Sequence, residues 1–248
     1  MTITEPKQRT GVILAAGFGS RLAGTVKETS LKPLTPVAGI PLIFRTIHSL
    51  EVAGCSKIVI VLGYAYEEIR ADIEKVYTGT TPIVFVRNEK YKLANGVSVL
   101  SALPEIENDE FVLTMADHIL SDEMMQLAAN HNPPSNGATL LVDFKIDTIF
   151  DMDDATKVYQ ENDLVVRIGK MISDYNCIDT GVFVCTKGLT DFIKTVYNEK
   201  GDASLSDGVQ ALSARKKMAV LDIKDAFWQD IDTPEMLQYA EKYFLDRI

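Results

Sequence analysis

The sequence is poor in cysteine, tryptophan and positive charge, and it has no long apolar run. Its three cysteines, Cys55, Cys177 and Cys185, are odd in number and lack the C-x-x-C spacing of a zinc site. That argues against a disulfide framework and fits reduced thiols in the cytoplasm. Lysine and arginine number 25 against 35 aspartates and glutamates, a formal charge of −10 over 248 residues. A nucleic-acid binder needs a basic face, so nucleic acid is not expected as a partner. Any anionic substrate must instead be drawn in by a local cluster of cations, against the overall field. No apolar run reaches the length of a membrane span. The polar N-terminus "MTITEPKQRT" lacks the apolar core of a signal peptide. The expected location is therefore cytoplasmic, with no membrane insertion.

What is present is a regular alternation. The 248 residues, 46% of them hydrophobic, suffice for one large α/β domain or two small ones. Val12–Leu14, Ile58–Leu62, Val84–Val86 and Phe111–Met115 read as strands. "IVIVL" is apolar on both faces, as a central parallel strand should be. Helical patterns fill residues 41–53, 65–76 and 97–103, giving a βαβ series. In the second half, "KVYQENDLVVRIGK" reads as two strands joined at Glu161–Asp163. "TLLVDF", "GVFVC" and "AVLDI" add further strands, and helices fit near 121–130, 188–198 and 205–215. There is no internal repeat and no linker long enough to separate independent domains. The loop "NPPSNG" at 132–137 is the expected seam within one domain, 1–248, between a half at 10–135 and a half at 136–240.

The stretch "VILAAGFGSRL" runs a strand into glycines, an arrangement that lets backbone N–H groups approach an anion. It lacks the third glycine of G-x-G-x-x-G and the G-K-[ST] of the Walker loop, so spacing alone leaves a phosphate cradle and a plain turn both open. Arg21, Lys27 and Lys32 lie close behind it, a positive region in an acidic chain. Asp117, in "FVLTMADHIL", follows an apolar strand, where α/β sheets bind ligands. Asp232, in "FWQDIDTPEML", has Asp230 beside it. Each aspartate also reads as an ordinary strand-end or N-cap residue.

Taken together, "LAAGFGSRL…KPLTPVAGIPLI" resembles the signature of nucleotidyltransferases that join a nucleoside triphosphate to a phosphorylated alcohol or sugar. The resemblance implies a Rossmann-like α/β fold, with a mostly parallel, mixed sheet flanked by helices and a smaller acceptor-binding β subregion. The first half would bind nucleotide and the second the acceptor. It also implies that the loop Leu14, Ala15, Ala16, Gly17, Gly19 and Ser20 holds the triphosphate, that Arg21 and Lys32 neutralise it, and that Asp117 and Asp232 hold Mg²⁺. Mg²⁺ readily shares carboxylates with substrate phosphates. A phosphate monoester is already largely dianionic at neutral pH, so its attack on the α-phosphorus needs no general base.

The segments "MADHIL", "DMDDATKV", "RIGK", "YNCIDTGVFVC", "GDASLSDGVQAL" and "WQDIDTPEM" are similar, in the same order, to cytidylyltransferases acting on inositol 1-phosphate. That group implies CTP as donor and CDP-inositol plus pyrophosphate as products. Many of its members are fused to a membrane enzyme that consumes CDP-inositol; with no membrane segment in this sequence, such a partner is expected here as a separate protein. Asn95 and Gly96 are expected to read the base, unless Asn95 caps the helix that follows. For the acceptor, His118, Lys157 and Lys170 are candidates, with Asp143, Asp154 and Asp179 accepting hydrogen bonds from hydroxyls. "DMDDATKV" also reads as a loop of Asx-turns. A phosphocholine cytidylyltransferase is an alternative, with Phe150, Tyr159, Tyr175 and Trp228 as a cage for the ammonium. A sugar-1-phosphate nucleotidyltransferase and an inactive nucleotide-binding sensor are further alternatives.

Overall fold

The structure is a computed structural model that describes residues 8–19 and 31–245. The chain opens on strand β1 (Arg9–Ala15), and a short ribbon, β2 (Pro36–Val37) and β3 (Ile40–Pro41), leads into helix α1 (Leu42–Val52). Then follow β4 (Cys55–Leu62), α2 (Tyr66–Val76), β5 (Ile83–Arg87), α3 (Asn95–Ala102), β6 (Glu110–Met115), β7 (His118–Leu120) and α4 (Asp122–Asn130). The second half runs β8 (Ala138–Asp143), β9 (Lys157–Glu161), β10 (Leu164–Gly169), β11 (Cys177–Thr186), α5 (Lys187–Lys200), α6 (Leu205–Ser213), β12 (Met218–Asp222), β13 (Trp228–Asp230) and α7 (Pro234–Leu245).

Nine strands form one sheet in the order β5-β4-β1-β6-β11-β8-β12-β10-β9. The first four are parallel, β11 is antiparallel to both β6 and β8, and β12 returns parallel to β8. The sheet thus continues across 132–137, so that loop is a connection within one sheet. Strands β9 and β10 form the expected hairpin, with Asn162 and Asp163 at positive φ in its turn. Those backbone angles match the right-handed twist of the strands on either side.

Side chains alternate across the sheet, as a period of two requires. Val12, Leu14, Val59 and Val61 pack with Val99 of α3, Leu189 and Ile193 of α5 and Val209 of α6. Ile13, Ile58 and Ile60 face the other way, onto Ile43 and Ile47 of α1, Ile69 and Ile73 of α2 and Met124 of α4. The double-sided burial explains why "IVIVL" is apolar throughout.

Two features of this topology build the site. Chain order runs outward from β1 to β4 and β5 on one side and to β6 on the other, so the direction reverses between β1 and β6. Ligands of open α/β sheets bind at such a reversal, at the carboxyl ends of the strands. Strand β11 also bends. Its Phe183–Thr186 end lies between β6 and β8, whereas Cys177 and Ile178 pair with β9, with an irregularity between Asp179 and Phe183. Residues of the bent strand, Asp179 and Gly181, line one cavity with residues from the first half.

Candidate active site

The glycine loop leaves β1, and Asp117 follows β6 on the same edge; Ala116 N–H donates to Leu14 O at 3.1 Å. Asp232 arrives from far along the chain. Strand β13 pairs antiparallel with β7, setting Asp230 opposite His118, and Ile231 N–H donates to Asp117 O at 2.8 Å. Between the two carboxylates sits Lys32. Its Nζ lies 2.5 Å from Asp117 Oδ2 and 2.5 Å from Asp232 Oδ1, with the lysine side chain only 10% exposed. Burial alone would lower the pKa of this ammonium, but the two carboxylates outweigh burial and hold it above its ordinary value. Burial likewise opposes ionisation of Asp117, yet Lys32 and His118 keep its carboxyl well below the usual range. Asp117 Oδ1 is shared with His118 Nδ1 at 2.7 Å. His118 is in turn stacked on Trp228, centroid to centroid 6.1 Å. Its pKa is raised, because the bond to Asp117 outweighs burial. His118 therefore orients Asp117 while it lines the cavity.

Gly19 lies at the foot of this cluster. Its φ is +60°, and a Cβ there would stand 2.5 Å from Lys32 Cβ. Only glycine meets both demands. Leu14, Ala16 and Gly17 line the cavity above; Ala15 points into the core on the far side of β1, and Gly19 is packed against the lysine. Ser20, Arg21 and Lys27 lie outside the described residues.

The cavity encloses about 450 Å³ and draws its walls from both halves of the chain, a size in the range of small-molecule clefts. Seven aspartates and two lysines line it among the described residues. Asp179, at the bend of β11, accepts one hydrogen bond, from Gly181 N–H at 2.8 Å. Burial pushes its carboxyl up to about 6. Asp230, on the same cavity wall, is also raised by burial.

The remaining expected residues divide. Asp143 lines the cavity but is 2% exposed, and its oxygens are committed: Trp228 Nε1–H donates to Oδ2 at 2.9 Å and Lys145 Nζ lies 2.9 Å from Oδ1. It places Trp228 and Lys145. Asp154 and Lys170 both line the cavity and are paired with each other. Asp154 N–H also donates to Asp151 Oδ1 at 3.2 Å, so "DMDDATKV" holds an aspartate-bonded turn at the cavity rim. Lys157 is outside the cavity lining. Its ammonium donates to the carbonyls of Met152 at 2.7 Å and Lys170 at 3.1 Å, tying the rim loop down.

Asn95 does not cap α3, and Gly96 packs away from the cavity lining. The α3 cap is Ala94, without a side-chain bond. Asn95 Oδ1 instead accepts from Leu205 N–H at 2.8 Å, satisfying an orphan amide at the start of α6. Asn95 also lines the cavity. Gly96 is outside the cavity lining; a Cβ there would lie 2.5 Å from Ala203 O, so its role is the close approach of α3 to α6. Of the expected aromatic cage, Phe150 and Trp228 line the cavity. Tyr159 lies under Arg167 and Tyr175 faces Lys157, so the four rings do not form one cage. Sequence reasoning missed Lys145 and Ser98, which carried no motif.

Two carboxylate oxygens that already converge on one cation are hard ligands suited to Mg²⁺. Among the described residues no group of three or more His, Cys, Asp or Glu side chains forms a metal cage. A pair that shares its metal with substrate phosphate fits that arrangement.

The MobA-like NTP transferase domain matches residues 11–145, which span the glycine loop, Lys32 and Asp117. The chain belongs to the MobA-like NTP transferase family. Three similarities surround that assignment. The "Bifunctional IPC transferase and DIPP synthase" of Aquifex aeolicus is 30% identical over 236 residues, covering 95% of this chain and 52% of that protein. The chain spans about half the length of such bifunctional relatives. The 2-aminoethylphosphonate cytidylyltransferase of Lancefieldella rimae is 32% identical, over 78% of this chain and 75% of that one. The solved inositol-1-phosphate CTP transferase of T. maritima superposes with a TM-score of 0.81 at 26% identity, covering 95% and 97% of the two chains. The MobA-like NTP transferase chain thus shares its fold with that enzyme across both halves. Among its described residues, no helix is long and apolar enough to cross a membrane.

Proposed function

We propose that this nucleotidyltransferase moves a cytidylyl group from CTP to inositol 1-phosphate, giving CDP-inositol and pyrophosphate. The observation that carries the reading is the meeting of Asp117, Asp232 and Lys32 beside the glycine loop, at the mouth of an acidic cavity. The first half takes the nucleotide, with Leu14, Ala16 and Gly17 along its phosphates and Arg21 and Lys32 as cations. The second half takes the acceptor, with Asp179, Asp154 and Lys170 facing it. An oxygen of the acceptor phosphate bonds to the α-phosphorus in line, and the bond to the bridging α–β oxygen breaks, releasing pyrophosphate. Asp117 and Asp232 would hold Mg²⁺, which would supply charge neutralisation on the phosphates. The chain's own contribution is alignment and a preset field. His118 holds Asp117 in one orientation, and Trp228, fixed by Asp143, closes the wall behind it.

The carboxylates suit a polyol, whose hydroxyls donate to them. A second reading has support in the same wall. Seven aspartates with Phe150 and Trp228 also suit a cationic amine, and one relative is named for 2-aminoethylphosphonate. Pyrophosphate release with Mg²⁺ tests both, crossing CTP, UTP, ATP and GTP with inositol 1-phosphate, 2-aminoethylphosphonate, phosphocholine and glucose 1-phosphate. Turnover confined to CTP with inositol 1-phosphate is expected, and Asp117→Asn lowers kcat by at least about 100-fold with unchanged circular dichroism. Turnover only with the amine acceptors would replace the polyol reading. Near-normal kcat in Asp117→Asn would remove the metal assignment.

The cytoplasm is the proposed location. The three cysteines are buried free thiols, and burial pushes Cys55 and Cys177 up to about 12, so they are inert structural groups. A membrane-bound transferase is the proposed consumer of CDP-inositol.

A further inference from the structure

We propose that Lys32 is the resident counter-ion of the Asp117–Asp232 pair and that its ammonium gives up that place when a divalent metal arrives with the triphosphate. The proposal rests on the reading of these two aspartates as the metal-holding pair. Nζ stands 2.5 Å from one oxygen of each carboxylate. A magnesium ion binds carboxylate oxygens at about 2.0–2.1 Å, so ion and ammonium compete for the same oxygens and the same space. The competition is not relieved by the second oxygen of Asp117, because His118 occupies it.

The lysine also has somewhere to go. Its Cβ lies against Gly19, so the glycine loop rests on the lysine stem. A phosphate seated on that loop presents anionic oxygens next to a four-carbon chain that carries a compact point charge. Moving Nζ from carboxylate to phosphate keeps the ammonium paired throughout and vacates the carboxylates for the metal. Arginine, with a rigid fork, is poorly suited to such an exchange. Two consequences follow. Metal without nucleotide binds poorly, since it must displace a lysine whose side chain is only 10% exposed. Metal and triphosphate raise each other's affinity, as linkage requires.

The experiment uses Mn²⁺ as probe, with free Mn²⁺ read by electron paramagnetic resonance in titrations of the full chain without nucleotide. Lys32→Met keeps the stem and removes the charge, and it is expected to bind Mn²⁺ at least about tenfold more tightly than the unaltered chain. Adding Asp117→Asn to Lys32→Met is expected to abolish that gain. Lys32→Gln repeats the measurement with a polar side chain, so that a folding defect in one variant leaves the other to decide. Equal or weaker Mn²⁺ binding in both Lys32 variants, with an Asp117-dependent site in the unaltered chain, overturns the exchange while the metal pair stands. Absence of any Asp117-dependent Mn²⁺ binding overturns both. Failure of both variants to fold makes Lys32 a structural fixture and overturns the exchange.

Discussion

Replacing Asp179 by asparagine should stabilise the protein while harming its work. Asp179 sits at the bend of β11, half-buried against the cavity, with one hydrogen bond from Gly181 N–H at 2.8 Å. Burial raises its carboxyl from the ordinary 3.8 to about 6. The sign follows from linkage. Below about pH 4 the group is protonated in both folded and unfolded chains and contributes nothing unfavourable. Between about pH 4 and 6 the unfolded chain loses the proton while the folded chain keeps it, so stability falls as pH rises. Above about pH 6 the folded chain carries the full cost of a buried charge. At about 1.4 kcal/mol per pH unit that cost is about 3 kcal/mol, and water in the open cavity reduces it to about 1–3 kcal/mol. Asparagine keeps an oxygen for Gly181 N–H and never ionises. Urea unfolding of both proteins at several pH values should therefore give Asp179→Asn an advantage of about 1–3 kcal/mol at pH 7.5 that shrinks toward zero near pH 4. At the same time its KM for the acceptor should rise about tenfold, with the KM for CTP unchanged. A pH-independent difference, or a variant less stable than the parent at pH 7.5, would refute the reasoning. Strain held at a site for the sake of binding is the expected trade between stability and activity.

Two further outcomes are expected. Trp228→Phe removes the donor to Asp143 Oδ2; with Asp143 2% exposed, stability should fall by about 1–3 kcal/mol in urea unfolding, and the acceptor KM should rise without a change in the CTP KM. Gly96→Ala drives a Cβ to 2.5 Å from Ala203 O; thermal unfolding should show a loss of about 1–3 kcal/mol. A melting temperature equal to the parent's would show that α3 and α6 separate freely.

The parallel half was legible because each strand is an apolar run buried on both faces, and each helix carries one apolar stripe. The β9–β10 hairpin was legible through Asn162–Asp163, residues that tolerate the positive φ its turn needs. The short strands β7 and β13 were not, since three residues carry no periodicity; their pairing is fixed by where β6 and α7 leave them. The packing of Asn95 and Gly96 was illegible for a related reason. Both suit a helix start and a base contact in one dimension, and only the nearness of Ala203 and Leu205 shows that Gly96 serves the α3–α6 contact and that Asn95 bonds across it while lining the cavity.

By itself the sequence determined the chemistry on offer: a glycine loop, a lysine, two aspartates and an acceptor half rich in carboxylates. These are local facts, written in residue types and the periods of strand and helix. The tertiary structure alone decided which groups meet. Asp117 and Asp232 are far apart along the chain and come together through the β7–β13 ribbon; Lys32 reaches them because β1 and β6 are neighbours in the sheet. Such meetings depend on strand order and on a bend in β11, which are properties of the packed sheet and leave no mark at any single position.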